Sequence, residues 1–74
     1  MKLKEFLELH DGGDAMECVT IKCESEYFCE EENQEYILES DWFNEIAKRK
    51  VKRFCVMIGE GVYPVELYIT IEEE

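Results

Sequence analysis

The sequence predicts an α+β fold in which two short helices pack on one face of an antiparallel four-stranded sheet. Two patterns predict it: apolar residues recur at helical spacing near the start of the chain, and they alternate with polar residues near its end. Composition agrees, because 46% of the 74 residues are hydrophobic, enough for a small core despite 36% charged residues. The predicted element order is α-β-β-α-β-β, within a single compact domain spanning residues 1–74.

The first helix is predicted by one apolar face near the start of the chain. Its members are Leu3, Phe6, Leu7 and His10. They fall at positions i, i+3, i+4 and i+7, which lie one above the other on a helix. Two glycines among residues 11–14 are expected to end this helix. Residues 16–23 then show a strand-like pattern, with Val19, Ile21 and Cys23 on one side.

The middle of the chain is less regular. Tyr27 and Phe28 either extend the first strand or begin another one. Residues 30–33, three glutamates followed by an asparagine, are predicted to form a solvated turn. Residues 35–39 are predicted to be the second short strand of the sheet.

A second helix is predicted to begin at Ser40 or Asp41, because either side chain can cap the free N–H groups of a first helical turn. Its apolar side consists of Trp42, Phe43, Ile46 and Ala47. Trp42 and Phe43 are adjacent, so we expect one of them to be buried and the other to be partly exposed.

The closing hairpin is predicted from residues 51–58 and 65–71, with glycines in residues 59–61 marking the turn. Residues 65–71 alternate strictly between apolar and mostly polar side chains, which is typical of a half-buried strand. Pro64 indicates an edge position or a bulge near the start of this strand. In residues 51–58 one face is apolar: Phe54, Val56 and Ile58.

Together these periodicities predict the core. It is expected to contain Leu3, Phe6, Leu7, Val19, Ile21, Phe43, Ile46, Phe54, Val56, Leu67 and Ile69.

The charges are strongly segregated along a chain whose net charge is -11. Between Lys22 and Lys48 there is no cation, and there are nine carboxylates: Glu24, Glu26, Glu30, Glu31, Glu32, Glu35, Glu39, Asp41 and Glu45. Five of the eight cations follow within residues 48–53. A field of one sign attracts cationic partners and repels nucleic acid. The five cations are expected to pair within the chain, so no direct contact with nucleic acid is predicted.

The acidic middle predicts a protein-binding surface. Its carboxylates would imitate a row of phosphates, and aromatic side chains among them would supply apolar contact area. The predicted binding residues are Glu24, Glu26, Tyr27, Phe28, Glu30, Glu31, Glu32, Glu35, Tyr36 and Glu39. The alternative is an acidic surface that serves only solubility.

The opening LKEFLEL and the closing hairpin that ends in LYITI resemble small proteins from phages and prophages of Firmicutes. Some small acidic phage proteins are anti-CRISPR inhibitors. The resemblance therefore implies a non-enzymatic inhibitor that binds a basic, nucleic-acid-handling protein and competes with DNA or RNA. It favours a CRISPR effector as target, although a polymerase, nuclease or repressor fits the charge pattern equally.

A second hypothesis is an interaction module that forms a homodimer through the closing hairpin. The outer face of that hairpin would carry Cys55, Met57 and Tyr68, which is unusually apolar for a solvated sheet. Either a partner or the ambiguous middle segment would cover it.

Enzymatic and metal-binding functions are not predicted, although a small metal-dependent or thiol enzyme remains a third hypothesis. The four cysteines lack the close pairing of a zinc site, and the acidic runs lack the pattern of a calcium loop. His10, the only histidine, has no nucleophile at a sequence spacing that would indicate a catalytic pair. With no signal peptide or membrane span predicted, we expect a cytoplasmic protein without cofactors, with free thiols.

Overall fold

The computed structural model describes residues 1–10, 17–58 and 64–73. Seven elements follow one another along the chain. They are α1 (Leu3–Leu9), β1 (Glu17–Lys22), β2 (Tyr27–Glu32), α2 (Gln34–Glu39), a 3-10 helix (Asp41–Glu45), β3 (Val51–Ile58) and β4 (Val65–Ile71). The fold is α+β with two short α-helices, as predicted, but α2 occupies residues that were predicted to form a strand. The helix predicted to begin at Ser40 or Asp41 is instead the 3-10 helix Asp41–Glu45, so the element order differs from the predicted one. The predicted turns at residues 11–14 and 59–61 lie outside the described residues.

The sheet is mixed rather than antiparallel, with strand order β2-β1-β4-β3. The β1/β2 and β3/β4 pairs are antiparallel, as local hairpins must be, but β1 and β4 join the two hairpins in parallel. The prediction of a purely antiparallel sheet was wrong, because a local hairpin determines only the relative direction of its own two strands. It does not determine how the two hairpins are joined. The edge position indicated by Pro64 was also wrong, because β4 is an inner strand. Pro64 precedes Val65 and lies outside the ladder.

The helical elements and the sheet enclose one apolar core. Its buried members are Leu3, Leu7, Val19, Ile21, Cys23, Ile37, Phe43, Ile46, Ala47, Leu67, Ile69 and Ile71. Eight of the eleven predicted core residues are among them, and Phe6 packs against the cluster from a partly buried position. Phe43 is buried while Trp42 is partly buried, which confirms the expected division between these neighbours.

Phe54 and Val56 were wrongly predicted to be buried. They pair with Ile69 and Leu67, so they lie on the face of the sheet that carries the helices. Yet 55% of Phe54 and 60% of Val56 are exposed. The ring of Phe6 approaches Phe54 at 4.9 Å between centroids, but the helical layer does not extend far enough to cover this outer strand.

The middle of the chain differs most from the prediction. Residues 35–39 belong to a helix, because the side-chain oxygen of Asn33 accepts hydrogen bonds from the N–H groups of Glu35 (2.9 Å) and Tyr36 (3.4 Å). The Gln34 side chain then donates to two carbonyls at the end of α1, those of Leu7 (2.8 Å) and His10 (2.9 Å). These bonds fix α2 against α1.

Residues 30–32, predicted to be part of a turn, complete β2 instead. Between the pairs Ile21–Cys29 and Val19–Glu32, β2 contains one residue more than β1, which is a β-bulge. Glu31 lies in this bulge with a φ of 52°. This left-handed conformation is energetically unfavourable for residues with a side chain. Its N–H donates to the Thr20 hydroxyl at 3.0 Å, so the bulge is held by a specific hydrogen bond.

Candidate protein-binding surface

Most of the predicted carboxylates form a continuous run along β2 and α2, at one outer strand of the sheet. We call this set the acidic edge: Glu26, Glu30, Glu31, Glu32, Glu35 and Glu39. All are exposed except Glu32, which is half-buried. Within the described part of the chain none of them forms an ion pair, and the undescribed stretches contain no lysine, arginine or histidine. Their negative charge is therefore not neutralised by the protein itself.

Glu24 behaves differently from the acidic edge. Its Oε1 atom accepts hydrogen bonds from Arg53 Nη2 at 2.9 Å and Lys52 Nζ at 3.2 Å. These two cations, Arg53 first, lower the pKa of the Glu24 carboxyl below its ordinary value. The expected pairing of the cationic segment within the chain is thus observed, and it removes Glu24 from the unneutralised set.

Another cation of the same segment is also engaged. The guanidinium group of Arg49 donates twice to the Glu72 carbonyl, at 3.0 and 2.7 Å, and lies 5.2 Å from the centre of the Phe28 ring. Phe28 packs against the core beneath it, so it offers little surface to a partner. Of the three predicted aromatic anchors, Tyr27 and Tyr36 are well exposed.

Tyr27 lies on the face of the sheet opposite the helices, where it meets Tyr68. The two hydroxyl groups are 2.6 Å apart, and the rings are nearly perpendicular with centroids 6.4 Å apart. A hydrogen bond donated by the Tyr68 hydroxyl to Tyr27 favours the protonated form of Tyr68, and it is the main reason that the pKa of Tyr68 is raised to about 12. Lys22 Nζ lies 5.6 Å from the centre of the Tyr27 ring, which completes a small amphipathic cluster.

A depression of about 300 Å³ connects this tyrosine pair to the acidic edge. Its acidic lining consists of Glu30, Glu31 and Glu66, and the two tyrosines with Met57 supply an apolar wall. Glu66 accepts a hydrogen bond from the Thr20 hydroxyl, which itself accepts the Glu31 N–H. The arrangement brings carboxylates and aromatic rings to one concave place, which suits a guanidinium or ammonium group.

Sequence reasoning missed Glu66 and Tyr68 as members of this surface. Both were recognised as polar-face residues of the last strand, but they lie more than 30 positions from Glu31 and Tyr27 along the chain. They meet only because β1 pairs with β4 in parallel. No local pattern reports that pairing.

In the described residues no three His, Cys, Asp or Glu side chains are grouped to hold a metal ion. All four cysteines are free thiols. Cys18 and Cys23 are buried, and burial raises the pKa of the half-buried Cys29 to about 11. Cys55 is exposed. His10 contacts the Glu17 carboxylate at 2.5 Å, a pairing that the sequence did not indicate.

Comparisons with known protein families, curated proteins and solved structures find no match to this chain. None of the helices in the described ranges is long and apolar enough to cross a membrane.

Proposed function

We propose that the protein is a non-enzymatic inhibitor that binds a basic, nucleic-acid-handling protein through the acidic edge and competes there with DNA or RNA. The observation that carries this proposal is the acidic edge, whose carboxylates have no cationic partner among the described residues. Carboxylates kept for internal stability would be paired, as Glu24 is. Unneutralised ones lower the free energy of a complex only when an external cation approaches.

The depression beside the acidic edge supplies a specific contact within this field. A lysine or arginine side chain of the target would enter it, with its charge near Glu30, Glu31 and Glu66 and its stem against Tyr27 and Tyr68. Such a contact would distinguish an interface from a merely solvated surface, because it combines charge with desolvated aromatic area.

The negative charge of the acidic edge suits one class of target, a protein with a basic surface. A groove lined by arginine and lysine that normally holds phosphates fits the acidic edge. The resemblance to phage proteins favours a CRISPR effector, and a polymerase, nuclease or repressor presents the same kind of groove. The alternative function, a module that acts as a homodimer through the closing hairpin, is favoured by a separate observation on β3 and is argued below.

The decisive experiment is capture of a target from bacterial lysate, followed by competition with duplex DNA and with RNA. The test variant changes Glu30, Glu31 and Glu66 to glutamine, which preserves side-chain size and hydrogen-bonding capacity. The matched control changes Glu8→Gln, Asp41→Asn and Glu45→Gln, three exposed acids elsewhere on the surface with the same loss of charge.

We expect the test variant to lose binding at least about tenfold and the control to lose much less. Added salt and nucleic acid should both displace the wild-type protein. Equal losses for the two variants would show that only net charge matters. Undiminished binding by the test variant would show that Glu30, Glu31 and Glu66 do not carry binding, which contradicts the proposed contact in the depression.

A further inference from the structure

We propose that two copies of this chain associate through β3, edge to edge and antiparallel about a two-fold axis, to form one eight-stranded sheet. The inference concerns the edge of the sheet opposite the acidic edge and does not depend on what the acidic edge binds, although Met57 and Ile58 of β3 also line the depression described above. β3 is an outer strand of the sheet. On its outer side the Val51 N–H donates to the Met1 carbonyl at 2.9 Å, and among the described residues the backbone groups from Lys52 to Ile58 have no strand partner on that side.

The second half of β3 lacks the features that prevent edge pairing. Residues 54–58 carry no charge and no proline, and their pairing with β4 is regular from Arg53 to Ile58. All of these side chains are exposed, and Ile58 is 88% exposed. An outer strand that is regular, uncharged and apolar is a template for another strand.

The two ends of this strand are complementary to each other. Beside its start lies a groove of about 720 Å³ with a mainly apolar lining that includes Met1, Phe6, Leu9 and Phe54. Toward its end, Val56 and Ile58 lie on the same face of the sheet and are not covered. Antiparallel pairing brings the end of one strand beside the start of the other. Val56 and Ile58 of each copy would then lie at the groove of the other copy, once on each side of the axis.

Charge selects the second copy as the occupant in this orientation. Pairing centred on Cys55 sets Arg53 opposite Met57 of the second copy, so the two Arg53 residues are about 14 Å apart, beyond the screening length of about 8 Å. Pairing of β2 with its own copy would bring Glu30 and Glu32 against the same acids. Pairing of β2 with β3 would place the Glu31 bulge in the ladder and continue as an open filament.

The same register determines which other residues of the two copies face each other. Phe54 lies opposite Val56 of the second copy, an aromatic and β-branched pair that stabilises neighbouring strands. Cys55 lies opposite Cys55 of the second copy, with Cα atoms about 4.5–5.5 Å apart, which is within the range of a disulfide. The two acidic edges lie at the outer strands of the double sheet, about 34 Å apart, so the dimer would present the proposed binding surface twice.

Sedimentation equilibrium over a range of protein concentrations tests the association. The wild-type protein should be a dimer at micromolar to millimolar concentration. V56K and I58K should each weaken dimerisation at least about tenfold, because V56K inserts a charge beside Phe54 of the second copy and I58K places a second cation opposite its Lys52. L38K, on the exposed side of α2, is the matched control and should not change it. Circular dichroism should show all three variants to be folded, since none of these side chains is buried. A wild-type protein that stays monomeric at millimolar concentration overturns the proposal.

Cysteine crosslinking tests the edge and the register. Diamide, which accepts two electrons and two protons from a pair of thiols, should convert the wild-type protein to a covalent dimer. The C55S variant should not form it, and V56K should form it far more slowly. Crosslinking that persists in C55S, or dimerisation unaffected by both lysine variants, would place the interface elsewhere. Glutamine variants of the acidic edge should leave the dimer intact, so failure of one proposal does not imply failure of the other.

Discussion

The two outer strands of the sheet show opposite ways of treating an exposed backbone edge. β2 carries three consecutive glutamates and a bulge in which Glu31 adopts a left-handed conformation. β3 is regular from Arg53 onward and its last five residues are uncharged. Charge and bulges are the usual means by which an edge is kept from pairing with another chain. The contrast indicates that β2 is shaped to be approached by side chains and β3 by a strand.

The same comparison separates two kinds of apolar residue on one face of the sheet. Leu67 and Val56 are direct neighbours across β3 and β4, but Leu67 is buried and Val56 is exposed. Inward orientation alone therefore does not make a core residue. A second layer must lie above it, and here the helical layer stops at Phe6.

The largest expected effect on the free energy of unfolding comes from truncating Leu67, the buried member of this pair. Leu67→Ala should lower the free energy of unfolding by about 2–5 kcal/mol, because it leaves a cavity in a small core. Val56→Ala should lower it by less than about 1 kcal/mol in the monomer, since a large part of that side chain is already in water. Urea unfolding at a concentration low enough to prevent association measures both. Similar losses for the two variants would mean that β3 is covered in the monomer.

A second prediction concerns the helix that follows β2. Asn33→Ala should lower the free energy of unfolding by about 0.5–2 kcal/mol, because Asn33 caps the N–H groups of Glu35 and Tyr36. Asn33→Asp keeps the capping oxygen and should retain most of the stability. If alanine and aspartate cost the same, the cap contributes nothing and the loss has another cause.

This cap also shows how much of the fold the sequence reveals. α1, β1, β3 and β4 are predicted because their periodicity runs over enough residues to identify one buried face. Residues 34–39 contain too few residues for a period, and Tyr36, Ile37 and Leu38 together look like a strand. The deciding interactions are the Asn33 cap and the bonds from Gln34 to α1, and the second of these depends on tertiary structure.

The candidate site divides in the same way. The acidic run could be predicted from the sequence, because unbroken charge of one sign is visible along the chain. Three other features could not be predicted from the sequence. They are the pairing of Glu24 with Arg53, the contact of Arg49 with the Phe28 ring, and the presence of Glu66 and Tyr68 in the site. Each results from contact between residues distant in the sequence, through the β1/β4 pairing or the packing of the segment before β3.

A third prediction tests the bulge that distinguishes β2 from β3. Glu31→Gly should raise the free energy of unfolding by about 0.5–1 kcal/mol, since glycine relieves the left-handed conformation at some cost in chain entropy. Glu30→Gly removes the same charge at a residue without positive φ and should lower it by a similar amount. Thermal unfolding of both variants is the measurement, and destabilisation by both would show that the bulge is not strained.

The smallest expected effect concerns Glu24, which connects the turn after β1 to the start of β3. Its pKa is lowered by Arg53 and Lys52 from an ordinary value of 4.5, so the carboxylate contributes stability at pH values above 4.5. That contribution should be lost as the pH falls through the lowered pKa of the folded state. The carboxylate lies on the surface, so the effect should be small and should shrink further with added salt. Unfolding midpoints of Glu24→Gln and wild type should therefore differ slightly at neutral pH and converge in acid. Glu26→Gln is the matched control, because that exposed carboxylate in the same turn has no cationic partner within the part of the chain that the structure describes. A difference for Glu24→Gln that stays constant from neutral to strongly acidic pH would mean that the two ion pairs do not stabilise the fold, and that the turn is held instead by the hydrogen bonds from Ser25 to Glu73, which follows β4.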